Sequence, residues 1–331
     1  MVEVAFDTSP LAQTRAGTAR HLRGLLGELE RAPDVTLRRH GFALPGRAAV
    51  AVRDLAWYLA ALPVLARGAD VLHCPTFRAP VSSPVPLVVT FHDLAVLRHP
   101  EWFNAWTRNY SRAVLPRVAS AADRVIAVSE FTAAELVDVL GVPEAKIRVI
   151  PNAVGPPFTA TGAAVEGDYV LAVSTLEPRK NLGRLVEGFR RAELNGCELR
   201  IVGARGWGDA GLPPDPRVRW LGEVSDEELA CLYRGARCAA YVSLYEGFGL
   251  PVLEAMACGT PVVSADLPPI REFARGVVAV DPLDADAIAA GLGEAVAGRD
   301  ELRREGRKAA SAYDWGRAAR ETVEVYREVS G

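Results

Sequence analysis

Short apolar, β-branched runs alternate with longer helical patterns along this chain, and that alternation constrains the fold more than any other feature. In the first half the runs are "VEVAF", "DVLHC", "PLVVTF", "RVIAVS" and "IRVI"; in the second they are "YVLAVS", "LRIVG", "VRWLG", "CAAYVS" and "PVVSA". Between them lie "ARHLRGLLGELE", "FTAAELVDVLG", "NLGRLVEGFRRAE", "SDEELACLYRGA" and "PLDADAIAAGLGEAVAG". Strands that are apolar almost throughout must be covered on both faces, so the pattern predicts an α/β fold with parallel sheets. The stretch "PNAVGPPFTATGAAVEGD", residues 151–168, breaks the alternation and reads as a linker between two α/β domains. Ligands of such sheets bind beyond the carboxyl ends of the strands. The polar residues of this chain gather there: His73, His92 and Asp93, Ser129, Glu177 to Asn181, and Glu246. Two domains with facing strand ends would form one deep cleft.

Composition narrows the function. A formal net charge of −3 lacks the basic excess of a nucleic-acid binder, so no nucleic-acid partner is expected. The five cysteines form no Cys-x-x-Cys pair and read as reduced, buried thiols. The opening "MVEVAFDTSP" is not a signal peptide, and no apolar run approaches the roughly 18 residues of a spanning helix. A cytoplasmic protein is expected, with peripheral contact at the inner membrane face through "WFNAWTRNYSRAVLPRV". There aromatics mix with Arg108, Arg112 and Arg117, as in an interfacial helix; a packed helix with a solvated basic face is the alternative.

Two stretches hold charge where charge is costly. In "STLEPRKNLGRLVEGF", Asn181 reads as the N-cap of a helix from Leu182, so Arg179 and Lys180 face the positive end of its dipole. A phosphate or diphosphate between them would reverse the sign of that interaction. Alternatively Glu177 pairs with one of them and the rest is solvated. In "SLYEGFGLPVLEAMACGTPVV", Pro251 and Gly259 bracket a helix over Leu250 to Cys258 whose only polar side chain is Glu254. A carboxylate so buried needs an arginine, backbone donors or ligand hydroxyls. Gly247 and Gly249 let backbone donors approach a ligand, and Glu246 sits at the tip of the loop. The two acids suit a polyhydroxylated ligand; the alternative is a structural Glu254–Arg pair. Other stretches carry less. His92, followed by Asp93, is as compatible with a core or capping role as with catalysis. His73, Cys74, His92 and Asp93 have no spacing that fixes a metal geometry, so no metal is expected. "GARGWG" lacks the Gly-x-Gly-x-x-Gly order, and "DAD" at 284–286 opens a helix, where acids complement the dipole.

Together these stretches resemble glycosyltransferase family 4, retaining enzymes of the GT-B fold, which has two Rossmann-like parallel-sheet domains facing a central cleft. The resemblance is carried by "LEPRKNL" followed by the Glu-x7-Glu signature in "EGFGLPVLEAMACG", and by "FHDLAVLRHPEWF", "RVIAVSEFTAAELVDVLGVPEAKIRVIPNAV" and "DEELACLYRGA". It is nearest a bacterial mannosyltransferase-like branch. It implies an acceptor-side domain over 1–155, a nucleotide-sugar domain over 165–312 and a tail, 313–331, whose helix crosses back to the first domain. It also implies a metal-independent hexosyltransferase with no cofactor beyond its donor substrate, a nucleotide-diphosphate sugar with GDP-mannose favoured. The acceptor would be a glycan or a lipid-linked glycan.

By the same resemblance, Glu246 would contact the donor sugar and Glu254 the ribose. Arg179 and Lys180 would neutralise the diphosphate, helped by backbone amides at Phe248, Gly249 and Leu250. His92 would face the transferred sugar, with Asp93 and Ser129 nearby, and Gly17 and Arg20 would approach the diphosphate. The first loop reads "AGTARH" in place of a Gly-Ile-Gly-Arg-Tyr-like run, and the region before "VRWLG" is abbreviated. Two other readings share the fold: a nucleotide-sugar-binding subunit without transfer activity, and an epimerase or phosphorylase.

Overall fold

The computed structural model describes residues 1–12, 17–44, 47–204 and 215–331; the shortened loop over 205–214 lies outside the described residues. The chain divides into two compact units, Met1–Ala153 with Trp315–Gly331, and Val154–Asp314. Of residues 151–168, read from sequence as linker, those from Val154 onward therefore belong to the second unit. Arg234 holds them by donating to the carbonyls of Pro157, Thr159 and Ala163.

The first unit is built on a six-stranded sheet ordered β2-β1-β3-β4-β5-β6. Its strands are β1 (Val2–Asp7), β2 (Val35–His40), β3 (Val71–Cys74), β4 (Leu87–Phe91), β5 (Arg124–Ala127) and β6 (Ile147–Val149). All neighbours pair in parallel. Every residue of β3 and β4 is buried, as a sheet covered on both faces requires. The charged edge strand β2 was not expected. Its "VTLRRH" buries no residue fully and reads as polar because only one side of it meets the sheet. Two helical stretches, 47–65 and Ala105–Ala121, complete one side of the core with Trp57, Tyr58, Leu62, Tyr110 and Leu115. On the other side the tail helix Trp315–Ser330 packs with the helix Gly17–Leu29. Tyr326 Oη of the tail lies 2.6 Å from His73 Nδ1, and Glu328 pairs with Arg124 and Arg148. A Cβ on Gly24 would lie 2.2 Å from the Trp315 ring, so only glycine permits this approach.

The second unit has a six-stranded sheet ordered β12-β11-β10-β7-β8-β9, again parallel throughout. Its strands are β7 (Tyr169–Val173), β8 (Glu198–Val202), β9 (Val218–Gly222), β10 (Cys238–Tyr241), β11 (Val262–Ala265) and β12 (Val277–Val280). β12, the short "VVAV" edge, was missed, as was the helix Arg299–Ala310. Counted from β7, the order runs outward in both directions from the β7–β10 pair. That pair is the switch point where open α/β sheets bind ligands. All five cysteines are free thiols and four are buried. Among the described residues no helix is long and apolar enough to cross a membrane.

Candidate functional site

The chain leaves β7 and β10 side by side, and the two loops that follow are tied together. Asn181 is the tie. It adopts a left-handed conformation, φ 55°, and its side chain does not cap the helix Leu182–Arg191 as the sequence suggested. Instead Asn181 Nδ2 donates to the carbonyls of Val242, at 3.1 Å, and Pro282, at 2.7 Å. The Leu244 amide donates to the Arg179 carbonyl at 2.8 Å. Close approach of β8 helps fix the first loop: a Cβ on Gly203, φ 149°, would stand 2.1 Å from the Ser174 carbonyl oxygen.

These ties gather four charges. Lys180 Nζ donates to Glu246 Oε1 at 2.7 Å and to Tyr241 Oη at 2.9 Å. Arg179 Nη1 donates to Glu246 Oε2 at 3.2 Å, and its Nη2 to Glu177 Oε1 at 2.9 Å. None of the four side chains is more than 16% exposed. Burial pushes the Glu246 carboxyl up, but the charges of Arg179 and Lys180 outweigh it and bring it down to about 2. Burial, and then the neighbouring Arg179 charge, hold Lys180 below the ordinary lysine value. Glu177 pairs with Arg179, as the alternative reading had it, but the rest is buried rather than solvated: Glu246, not expected as their partner, sits between the two cations. An open cavity of about 300 Å³ adjoins this turn, lined in part by Glu177, Asn181, Arg184 and Glu187.

The second carboxylate is in a separate contact. Gly249, φ 107°, lets the chain turn into the helix Leu250–Ala257, one residue shorter than expected; Gly259, φ 72°, follows its end. Glu254 is 1% exposed. Tyr233 Oη lies 3.3 Å from its Oε2 and 3.2 Å from the Pro251 carbonyl oxygen. A tyrosine was not among the partners foreseen for it. Phe248 stacks on Phe273 with ring centroids 4.6 Å apart, and Leu250 is buried beside it. Tyr233 and Tyr241 were missed because each sits in an apolar run where an aromatic ring reads as core.

On the first unit, His92 follows β4 and its Nε2 lies 3.0 Å from the Pro75 carbonyl oxygen. That contact fixes the ring proton on Nε2, because a carbonyl only accepts. Burial holds His92 below the ordinary histidine value, with Pro75 and Asp93 pulling the other way. Asp93 Oδ1 accepts from the Ala95 amide. Ser129 is fully buried as the N-cap of the helix Glu130–Leu140, accepting from Thr132 N at 3.0 Å. Gly17 and Arg20 lie in the first turn of the helix Gly17–Leu29, both half-buried, and residues 13–16 before them are outside the described residues. His21, overlooked in the sequence, joins this group. Its Nδ1 lies 2.8 Å from Asn152 Oδ1, and its ring meets that of His92 edge to face at 4.7 Å. His73 is held between Tyr326 and Thr90. Among the described residues no three His, Cys, Asp or Glu side chains gather as a metal site. Asp284 of "DAD" caps its helix, accepting from Asp286 N.

Two units, each built on a parallel six-stranded sheet, are the architecture of the GT-B fold. Residues 15–156 match the model described as Glycosyltransferase Family 4 and residues 158–312 the one described as Glycosyl transferases group 1, and the chain belongs to this family. It is 30% identical to the O-antigen chain mannosyltransferase B of Escherichia coli, over 97% of this chain and 87% of that protein. It is also 30% identical to the MMP alpha-(1->4)-mannosyltransferase of Mycolicibacterium hassiacum, over 73% of this chain and 65% of that one. Among solved structures, sucrose-phosphate synthase from Thermosynechococcus elongatus superposes with a TM-score of 0.80 at 20% identity, covering 99% of both chains. Anabaena HepE in complex with UDP and glucose gives 0.78 at 18% identity, over 99% of this chain and 100% of that one.

Proposed function

We propose that this chain is a retaining, metal-independent hexosyltransferase that moves mannose from GDP-mannose to a glycan or lipid-linked acceptor. The mannose donor rests on the names of the relatives at 30% identity. The observation that carries the reading is the buried pair Arg179 and Lys180 held at the β7–β10 switch point with Glu246 between them. The donor diphosphate would draw both cations onto its oxygens, Arg179 as a fork and Lys180 as a point charge. That releases Glu246 to accept from the sugar hydroxyls. When the C1–O bond to phosphate breaks, negative charge grows on the departing oxygen, where the two cations stabilise it. The acceptor oxygen bonds to C1 on the same face and its proton passes to that departing oxygen, so no protein nucleophile is used. Glu254 would accept from the ribose, and the amides around Phe248, Gly249 and Leu250 would hold phosphate. His92 would lie by the transferred sugar and Gly17 and Arg20 by the diphosphate.

The test is mannose transfer from labelled GDP-mannose, with product anomer read by NMR. Arg179→Ala with Lys180→Ala should abolish transfer and leave the far-UV CD spectrum unchanged. Wild-type turnover in that double variant would remove the role. Thermal shifts with GDP-, UDP- and ADP-sugars separate the donors, and a larger shift with a UDP- or ADP-sugar would overturn the choice of GDP-mannose.

A further inference from the structure

Tyr241 is the last residue of β10, at the switch point of the second sheet, and is 6% exposed. A phenylalanine would fill the same space, so the buried hydroxyl needs a partner to account for it. That partner belongs to the cation pair. Lys180 Nζ donates to Tyr241 Oη at 2.9 Å and lies 5.0 Å from the centroid of the ring. Burial and then the nearby Glu246 carboxylate push the phenol well above the ordinary tyrosine value. The oxygen that accepts from Lys180 therefore keeps its own hydrogen, and Glu246 is there to receive it.

An ammonium carries three hydrogens. In Lys180 one goes to Glu246 Oε1 at 2.7 Å and one to Tyr241 Oη, which fixes the direction of the third. The two holds differ in kind. Glu246 stands on the loop 242–249, and in the reading above it is the group that turns to the sugar. Tyr241 stands on an interior strand, in register with Ser264 of β11, and cannot follow it. Once Glu246 has turned, the phenol is the hydrogen-bond partner that Lys180 keeps among the described residues.

We infer that Tyr241 is a positioning residue for the transfer: from the sheet it holds Lys180 aimed at the departing phosphate oxygen after Glu246 has turned to the sugar. The lysine stem is flexible, and without a second hold its ammonium would be free to move with Glu246. A diphosphate in the ground state attracts the ammonium in either position. Charge growing on one oxygen favours an ammonium already aimed at it, so the hold acts on the chemical step more than on binding. Tyr241 touches neither substrate nor reacting atom and acts through Lys180; the inference therefore rests on the diphosphate reading of the cation pair.

The experiment is Tyr241→Phe in the full chain, which keeps the ring and removes the hydroxyl, with the fold checked by CD and thermal midpoint. In the transfer assay kcat should fall about 10- to 100-fold, the size of one hydrogen bond to a charged group, with the donor KM within about three-fold of wild type. In a Lys180→Ala background the same change should have no further effect, because the group it acts through is gone. Calorimetric titration with GDP across alkaline pH reads the hold without turnover. Lys180 faces Glu177 and Arg179 of its own turn, Tyr241 of β10 and Glu246 of the following loop. Removing the phenol takes an acceptor from the charged lysine, so GDP affinity should be lost at a lower pH than in the wild type; the ligand's own titration is common to both. A merely structural tyrosine would lower the midpoint, leave that pH profile in place and cost as much activity in the Lys180→Ala background. Either of the last two results, or wild-type kcat in Tyr241→Phe, overturns the inference. Lys180→Ala turning over at the wild-type rate would instead remove the reading of the cation pair, and the inference with it.

Discussion

Replacing Glu246 by Gln changes a buried cluster from neutral to one surplus positive charge with almost no change of shape. Arg179 would keep Glu177 as a counter-charge but both cations would lose Glu246, which now meets them at 3.2 and 2.7 Å. Breaking a buried pair from one side costs about 3–5 kcal/mol. The titration of the carboxylate points to the same size: a fall from 4.5 to about 2 is worth about 3 kcal/mol. For a unit of this size the midpoint should drop by roughly 6–20 °C, read by calorimetry. Binding should move the other way. On the proposed function, a diphosphate would compete with Glu246 for both cations in the wild type, and in the variant that competitor is gone. Calorimetric titration with GDP should therefore show affinity held or raised, while transfer falls about 100- to 1000-fold for want of the sugar contact. A midpoint within about 1 °C of wild type would mean that solvent already screens the cluster. A GDP affinity that fell in step with transfer would refute the competition.

Glu254→Gln should weaken GDP binding about 10- to 100-fold by calorimetric titration, since it removes a charged acceptor proposed for the ribose. Tyr233→Phe, which removes the hydroxyl 3.3 Å from that carboxylate, should lower stability by about 1.5–3 kcal/mol in urea unfolding. His73 is buried and its pKa is held down to about 3, so below pH 6.5 the unfolded chain binds a proton that the folded chain refuses. Stability is therefore lost as pH falls from 6.5 toward 3; between pH 7.5 and 5 the loss should be about 2 kcal/mol for this residue. His73→Gln should flatten that slope. Gly188→Ala would put a Cβ 2.6 Å from Ile288, between the helices Leu182–Arg191 and Ala285–Ala297, and should cost about 1–3 kcal/mol by thermal unfolding.

The interior strands were legible because parallel pairing buries both faces, so "VLHC" and "LVVTF" have no polar side to blur them. The edges were not. β2 carries Arg38, Arg39 and His40 because an edge meets solvent, and β12, four residues between "EFARG" and "DPLDAD", is too short to stand out as a strand. The stretch 47–65 failed for a different reason. Its period widens through the π-helical turns, so a 3.6-residue pattern does not run through it, and its outer face is as apolar as its inner one. At the site, charge placement was readable: Arg179, Lys180 and Glu246 stood out because ions so near apolar strands need a reason. What local sequence could not supply was who satisfies whom. Asn181 looks like a cap, but the neighbouring strand end offers its amide two carbonyls, and its left-handed backbone turns the side chain toward them. Glu254 was expected to meet an arginine, backbone donors or ligand hydroxyls, and the tyrosine hydroxyl beside it comes from a helix earlier in the chain. The same logic bears on the proposed function: two cations buried this deeply need a counter-charge, Glu246 supplies it, and a diphosphate that took its place would leave that carboxylate able to turn to the sugar.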